Sequence, residues 1–268
     1  MSWQAMLEAL AAHSLPDQAA LALMDRVDTK FVVPERLLCR CFDGLSGDYT
    51  LLEMEGRRQM AYDTLYFDTP GRQYYLDHHN GKLNRLKVRT RHYRNSGDSF
   101  LEVKHKNNRG RTVKERRALA SSCPSLSELQ GLMAELLDQS ADRLSPTLSV
   151  RYHRRTLINP AHQERVTLDT DLSFQSAQSG HRAVLPGLAV LELKSASLAT
   201  ESPLARRLKA LGCRPVAFSK YCIGTALLEP EQVKTNRFKP ILSSLVGVAR
   251  YFKESSWNPP SIPISSFG

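Results

Sequence analysis

Three consecutive segments of this chain place lysine or arginine at every second position. From Arg85, one parity holds Arg85, Lys87, Arg89 and Arg91, and the other holds Leu86, Val88, Thr90 and His92. The next segment sets Glu102, Lys104 and Lys106 against Leu101, Val103 and His105, and the third puts Lys114 and Arg116 on one side. Farther along, Arg165, Thr167 and Asp169 alternate with Val166 and Leu168, and Glu192 and Lys194 with Leu191 and Leu193. A period of two means extended strands with two chemically different faces. A sheet with one wet face explains any single segment. It does not explain the sign, because surfaces selected for solubility interleave both charges, and like charges on neighbouring strands destabilise a sheet. Cations lining a concave face fit a polyanion. Arginine offers a planar fork for phosphate oxygens and lysine a compact point charge, so a mixed lining suits a chain of phosphates. The sparse carboxylates Glu102, Asp169 and Glu192 are candidates for a divalent cation, which takes one or two protein carboxylates and completes its shell with water and phosphate. Charge neutralisation, alignment and a bridging metal are the equipment of phosphoryl transfer.

The elements that position these residues follow from periodicity and punctuation. Trp3, Met6, Leu7 and Leu10 share a helical face; Asp25 to Val33 reads as a strand; Pro34 opens a helix with Leu37, Leu38, Cys41 and Phe42 on one side. Tyr62 to Phe67 is a strand, and Thr69-Pro70 looks like the start of a short helix ending before Asn80-Gly81. The strands Arg85 to Tyr93, Phe100 to Lys106 and Thr112 to Arg117 follow, with Asn107-Asn108-Arg109-Gly110 as the second turn. Ser125 and Glu128 form a capping box ahead of Leu129, Leu132, Met133, Leu136 and Leu137. Strands at Thr147 to Leu157, Glu164 to Phe174 and Ala189 to Ser195 precede a Ser202-Pro203 helix that stops at Gly212, then a short helix from Lys220 to Leu228. Beyond Glu229 the pattern fades, and Ser255 to Gly268 is expected to be partly disordered. About seven or eight strands with helices between them predict an α+β fold. Amphipathic helices need the Leu/Val parity to cover, so the expectation is one barrel-like antiparallel sheet, cations inward and helices outside.

Composition sets the outer bounds. The 268 residues are 41% hydrophobic and 24% charged, which is globular and excludes collagenous, coiled-coil and wholly disordered classes. Thirty-seven Lys+Arg against 27 Asp+Glu leave a formal charge of +10, pointing to an anionic partner. The longest membrane-like stretch, Ile241 to Ala249, is too short to span a bilayer, which takes about 20 residues. Met1 to Ala20 lacks the pattern of a signal peptide. Five cysteines without a C-x-x-C suggest a reduced, cytoplasmic chain with no disulfide framework or zinc site. Asp68 and Thr69 read as a strand end and helix cap, Cys39 and Cys41 as packing residues, the histidines (His78-His79 included) as surface residues, and Arg57-Arg58 as a solvated loop. Nucleic acid is the general alternative for a basic chain, but no such motif is visible and the cations alternate along strands instead of flanking stacked aromatics, so no nucleic acid is expected.

Nine motifs in order carry a resemblance: Asp28-Thr29-Lys30-Phe31, Tyr66-Phe67-Asp68-Thr69, Lys87-Val88-Arg89-Thr90-Arg91, Leu101-Glu102-Val103-Lys104, Lys114-Glu115-Arg116, Tyr152-His153-Arg154, Arg165-Val166-Thr167-Leu168-Asp169, Leu191-Glu192-Leu193-Lys194 and Phe218-Ser219-Lys220-Tyr221. Together they resemble the VTC domain, the polyphosphate polymerase module of the vacuolar transporter chaperone complex, within the triphosphate tunnel metalloenzyme superfamily. The resemblance implies an eight-stranded tunnel in which the γ-phosphoryl group of ATP passes to a growing polyphosphate chain, with Mn²⁺ or Mg²⁺. It implies that Lys30, Arg89, Arg91, Lys104, Lys114 and Arg154 grip triphosphate or product, that Tyr152, Ser219 and Lys220 also contact phosphate, and that Glu192 is the principal metal ligand. Lys87, Lys106 and Lys194 join the site by parity, and Glu102 and Asp169 complete the candidate metal ligands. ATP and inorganic polyphosphate or pyrophosphate are the implied partners; a membrane-protein partner stays open. Alternatives are a triphosphatase or polyphosphate hydrolase, and a non-catalytic polyphosphate- or nucleotide-binding module. Where superfamily members carry Glu-x-Glu-x-Lys, this chain has Arg26, Asp28 and Lys30, which argues against the hydrolytic and cyclase branches. Ala217 stands where family members often have a basic residue before Phe-Ser-Lys. The implied organisation is an N-terminal helical segment over 1–24, the catalytic domain over 25–229 and a tail over 230–268.

Overall fold

The computed structural model describes residues 1–21, 27–109, 111–121, 124–137, 143–195 and 202–253. In chain order the elements are α1 (Trp3–Glu8), β1 (Ala12–His13), α2 (Leu15–Ala20), β2 (Val27–Pro34), a 3₁₀ turn (Glu35–Leu37), α3 (Leu38–Phe42), β3 (Thr50–Leu52), β4 (Met60–Asp68), α4 (Gln73–His79), β5 (Arg85–Tyr93), β6 (Ser99–Lys106), β7 (Thr112–Ala118), α5 (Leu126–Leu136), β8 (Ser145–Asn159), β9 (Glu164–Ser176), β10 (His181–Leu185), β11 (Leu188–Ser195), α6 (Pro203–Ala210), α7 (Lys220–Leu228), a second 3₁₀ turn (Asn236–Phe238), α8 (Lys239–Val246) and β12 (Arg250–Lys253). The chain divides into two compact units, one built from Met1–Met60, Tyr152–Leu172 and Pro186–Phe218, the other from Ala61–Arg151, Ser173–Leu185 and Ser219–Gly268.

In the first unit β1 pairs with β3 in parallel, and β3, β8, β9, β11 and β2 follow one another, with antiparallel register read at β3–β8, β9–β11 and β11–β2. The period-two alternation is realised as a buried face. Phe31 and Val33, Val166 and Leu168, and Ala189, Leu191 and Leu193 pack with Leu157 against Trp3 and Leu7 of α1, Leu38, Cys41 and Phe42 of α3, and Leu204, Ala205 and Leu208 of α6. Each Leu, Val or Phe among them contributes about 1.5–3 kcal/mol on leaving water, so this contact fixes which parity points to the helices. Two polar ties hold the periphery. The Tyr49 hydroxyl donates to the fully buried Glu164 at 2.6 Å and accepts from Leu204 N at 3.3 Å. Arg58 donates to Glu53 at 2.7 Å and to the Glu8 and Leu10 carbonyls at 2.6 and 3.0 Å. The Arg57-Arg58 pair is therefore not simply a solvated loop: Arg58 answers the carbonyls at the end of α1.

In the second unit the order is β12–β10–β9–β8–β4–β5–β6–β7, with β8 and β9 contributing residues 145–151 and 173–176. Leu65 and Phe67, Val88, and Leu101 and Val103 are buried with Tyr74 of α4 and with Leu129, Met133 and Leu137, the stripe of α5 that the Ser125–Glu128 capping box starts. α7 sits on the other side. Tyr221 stacks on Tyr66, a β4 residue in register with Arg89, at 5.1 Å between centroids, and the helix is buried from Tyr221 to Leu228. Helices were expected to cover only the apolar parity; α7 departs from this because its own residues are apolar all round, as Cys222, Ile223, Ala226, Leu227 and Leu228 show.

Other expectations change in detail. Neither strand order returns on itself among the described residues, so the closed eight-stranded barrel is not seen in the pairing; the architecture is α+β with a large, mainly antiparallel sheet. β7 shows why that edge tolerates water, since all seven of its residues are exposed and Lys114, Glu115, Arg116 and Arg117 charge it. Pro34 closes β2 instead of opening a helix. α4 begins at Gln73, not after Thr69-Pro70. Its first-turn amides at Tyr74 and Tyr75 are satisfied by Asp68 at 2.9 Å each, and Arg72 takes a left-handed φ of 56°. That backbone is held by a buried pair: Arg72 Nη2 lies 2.7 Å from Glu229 Oε2, and Ser176 donates to the same carboxylate at 2.8 Å. Asp68 thus caps the helix, and it also accepts from the Tyr221 hydroxyl. α2, β1, β3, β10, α8 and β12 have no counterpart in the periodicity reading. Asp25, Arg26, Gly110, Cys123 and the segment from Ser255 lie outside the described residues; Cys39, Cys41, Cys213 and Cys222 are free thiols.

Gly224 tests the seat of α7. A Cβ there would collide with the Phe174 ring and stand 2.8 Å from Leu148 Cδ2. An alanine in a helix interior ordinarily gains up to about 1 kcal/mol over glycine, whereas overpacking a full core costs about 1–3 kcal/mol. Gly224→Ala should therefore lower the urea midpoint; a raised midpoint would mean that α7 is not packed against β8 and β9.

Candidate functional site

The second unit carries a cluster of cations around one carboxylate, and the first a cluster around three. In the second unit the register turns the parity into rows across three strands. Arg89 is opposite Glu102, which is opposite Arg116; Lys87 is opposite Lys104, which is opposite Lys114; Arg85 is opposite Lys106. Eight cations (Arg85, Lys87, Arg89, Arg91, Lys104, Lys106, Lys114 and Arg116) share this face of β5, β6 and β7 with the single carboxylate of Glu102. Glu102 is 2% exposed. Its Oε2 accepts from Arg89 Nε at 2.8 Å and lies 2.6 Å from Arg89 Nη2 and 4.0 Å from Arg91 Nη1, while its Oε1 lies 2.6 Å from Lys114 Nζ. Burial alone would raise the Glu102 carboxyl; the charges of Arg89, Arg91 and Lys114 outweigh it and hold the group well below the usual carboxylate range. Burial, with the charges of Arg89 and Arg91, holds the Lys114 ammonium below its usual value, and Glu102 offsets only part of this.

Aromatic rings back these cations. Arg89 reaches the Tyr66 hydroxyl at 3.3 Å, Arg91 stands 5.5 Å over Tyr62, and Arg116 lies 3.3 Å over Phe100. Lys87 donates at 3.0 Å to Ser219, whose Oγ also accepts from Cys222 N as the N-cap of α7, with Lys220 as the first residue of the helix. His78, expected at the surface, is half-buried on α4. Burial, then Lys87, push its imidazole down to about 3, with Arg85 and Lys104 acting in the same direction.

The first unit builds its cluster on β11, between β2 and β9. Glu192 is opposite Lys30 and Thr167, and Lys194 is opposite Asp28 and Arg165. Lys194 Nζ stands 2.9 Å from Asp28 Oδ2 and 3.0 Å from Glu192 Oε1, so one ammonium is bracketed by two carboxylates. Lys30 donates to the Phe218 carbonyl at 2.9 Å and lies 3.7 Å from Glu192. Val216 N bonds to the Lys30 carbonyl at 2.8 Å, which lays the segment before Phe218 along β2. Arg154, 5.3 Å over the buried Tyr152 ring, grips both oxygens of Asp169 at 2.6 and 2.8 Å. Burial raises Glu192, but Lys30, Lys194 and Arg154 outweigh it, and the carboxyl is held well below its usual range.

The residues singled out in the sequence thus fall into two groups. Lys87, Arg89, Arg91, Glu102, Lys104, Lys106, Lys114, Ser219 and Lys220 belong to the second unit, and Lys30, Tyr152, Arg154, Asp169, Glu192 and Lys194 to the first. Asp28 and Arg165 join the latter by register; in the sequence Asp28 stood in the Asp-Thr-Lys-Phe motif and Arg165 shared a parity with Asp169. His78, Tyr66 and the Phe218 carbonyl were not legible, since only packing brings them to the cations. No group of three or more His, Cys, Asp or Glu side chains placed to hold a metal occurs among the described residues. The pair Asp28 and Glu192 fits a divalent cation best, because two hard oxygen donors already bracket a positive charge there and the remaining shell is what water and phosphate supply. The oxygens of Glu102 and Asp169 are engaged by guanidinium and ammonium groups.

The VTC domain family model matches residues 25–229, and the chain belongs to the VTC domain family. Comparison with curated proteins returns no match. Among solved structures, a proposed adenylate cyclase of Bacillus halodurans is similar at 14% identity and a TM-score of 0.46, over 73% of this chain and 94% of that one. A proposed adenylyl cyclase of Hippeastrum, described as having a dominant triphosphatase activity, is similar at 13% identity and a TM-score of 0.46, over 75% and 94%. A Vibrio parahaemolyticus protein, also a proposed adenylate cyclase, gives 13% and 0.41 over 73% and 94%. No helix among the described residues is long and apolar enough to cross a membrane.

A pH titration checks the environment of His78. A histidine whose folded value is depressed cannot take its proton in the fold, so stability falls as pH drops below the ordinary 6.5 and levels near 3. Between pH 6.5 and 5, H78Q should lose stability less steeply than the wild type in urea melts. Parallel curves would show that His78 is not held neutral.

Proposed function

We propose that this VTC-domain protein is a metal-dependent phosphotransferase that passes the γ-phosphoryl group of ATP to a growing polyphosphate chain. The observation that carries this reading is the face of β5, β6 and β7, where eight cations stand in cross-strand register around one buried carboxylate. Like charges opposite each other cost stability, and a linear polyanion is the ligand class that relieves the cost at many points at once. Family membership supports the same substrate class.

In this reading Arg89, Arg91, Lys104 and Lys114 grip the phosphates, with Lys87, Lys106, Ser219 and Lys220 beside them. Lys30, Arg154, Tyr152 and Lys194 make up the phosphate-binding set of the first unit. Glu192, with Asp28, would hold Mn²⁺ or Mg²⁺, which would neutralise charge developing on the phosphates during transfer. Lys194, bracketed by those carboxylates, would move toward phosphate once they are engaged. The chain's own residues thus bind and align, and no covalent nucleophile is required. The closed eight-stranded tunnel and a catalytic domain over residues 25–229 working in the cytoplasm belong to this proposal.

Two experiments test it. Incubation with ATP and Mn²⁺ or Mg²⁺ should yield polyphosphate on a gel. Phosphate release without chain growth would make the protein a triphosphatase, and tight binding without chemistry a binding module; either sinks the synthetic assignment. In thermal scans at fixed ionic strength, tripolyphosphate should stabilise the fold by about 2.7 kcal/mol at a hundredfold excess over its dissociation constant. R89A or R91A should abolish that shift, whereas E192Q should keep it and lose metal-dependent turnover.

A further inference from the structure

The Glu102 carboxylate is chemically unlike the other candidate metal ligands. It is the only acid on the cationic face of β5, β6 and β7, it is almost fully buried, and three cations converge on it from two strands. Arg89 presents its Nε and Nη2 edge to Oε2, the bidentate side of the fork, and Lys114 occupies Oε1 at 2.6 Å. A divalent ion bound here would have to displace the Lys114 ammonium and then sit within a few ångströms of Arg89, Arg91 and Lys114. The same charges that stabilise a carboxylate at this place repel a metal from it. Asp28 and Glu192 offer the opposite balance, two acids around one ammonium.

We propose that Glu102 is a positioning residue for the phosphate-binding cations and not a metal ligand. The inference rests on the phosphate-transfer reading above and deepens it by separating the two kinds of acid in the site. Without a counter-ion, Arg89, Arg91 and Lys114 repel one another and their flexible side chains splay. With Glu102 beneath them, the three are drawn to one point. Arg89 is committed along its Nε edge and steadied at Nη1 by Tyr66, so its orientation toward a ligand is set before the ligand arrives. Lys114, with nearly half of its side chain in solvent, is fixed at its ammonium while still open to an anion. Exposure divides the labour: the acid is buried, and the cations it anchors are not equally so.

The test compares the wild type with E102Q and E102D on the full chain. Thermal melts first establish that each variant folds. Titration with tripolyphosphate should show binding about tenfold weaker in E102Q and near wild type in E102D, while the Mn²⁺ concentration that half-saturates binding and turnover stays unchanged in both. Amine acylation read by mass spectrometry supplies an arm that needs neither substrate nor activity: Lys114 should label several-fold faster in E102Q and at the wild-type rate in E102D. If E102Q does not fold, E102N removes the same charge in a smaller side chain and should weaken tripolyphosphate binding and quicken Lys114 labelling, with the Mn²⁺ requirement unchanged. A right-shifted Mn²⁺ requirement with unaltered Lys114 labelling would make Glu102 a metal ligand and overturn the proposal. A wild-type protein that fails to bind tripolyphosphate would sink the functional reading instead, and the labelling comparison would then decide the counter-ion role alone.

Discussion

Repulsion between like charges held in register is the constraint around which the described structure is organised. Lys87, Lys104 and Lys114 face one another across three strands, and a sheet does not place lysines opposite lysines for its own stability. The arrangement survives because the opposite parity buries Val88, Leu101 and Val103 under α5, and because Glu102 takes three of the cations at once. Hydrophobic burial thus holds the strands in a register that electrostatics would not choose, and the residual positive potential remains available to an anion.

The first unit meets the same constraint with more acids. Asp28 and Glu192 answer Lys194, and Asp169 answers Arg154 with both oxygens. Its apolar parity is covered by α1, α3 and α6. The two clusters therefore differ in kind. One is cation-rich around a single buried acid. The other alternates acids with bases. Membership of the VTC domain family is consistent with both.

Legibility in the sequence followed the range of the interaction. The strands bearing Lys87 to Arg91 and Glu102 to Lys106 were readable because a period of two is local. The α5 start was readable because Ser125 and Glu128 satisfy each other's backbone amides three residues apart. The start of α4 was misplaced because its cap is not local in this sense: Asp68 reaches over five residues to Tyr74, and Glu229, far along the chain, holds the left-handed Arg72. β10 and β12 escaped because short strands with exposed faces carry too few alternations to register. The histidines were misjudged for the same reason, since nothing adjacent to His78 announces that Lys87 and Arg85 will lie near it.

Composition, periodicity and motif order by themselves determined the class of the protein, the two faces of its strands and the identity of the cations, because each of these depends on neighbours a few residues apart. Only the tertiary structure decided which acid answers which base, that Lys194 stands between Asp28 and Glu192, that Glu102 is enclosed by Arg89, Arg91 and Lys114, and that α7 packs on the polar side of β4 with Ser219 beside Lys87. Those outcomes depend on strand register and on burial shared among segments distant in the chain, and a carboxylate's role as metal ligand or counter-ion depends on the charges that register brings around it.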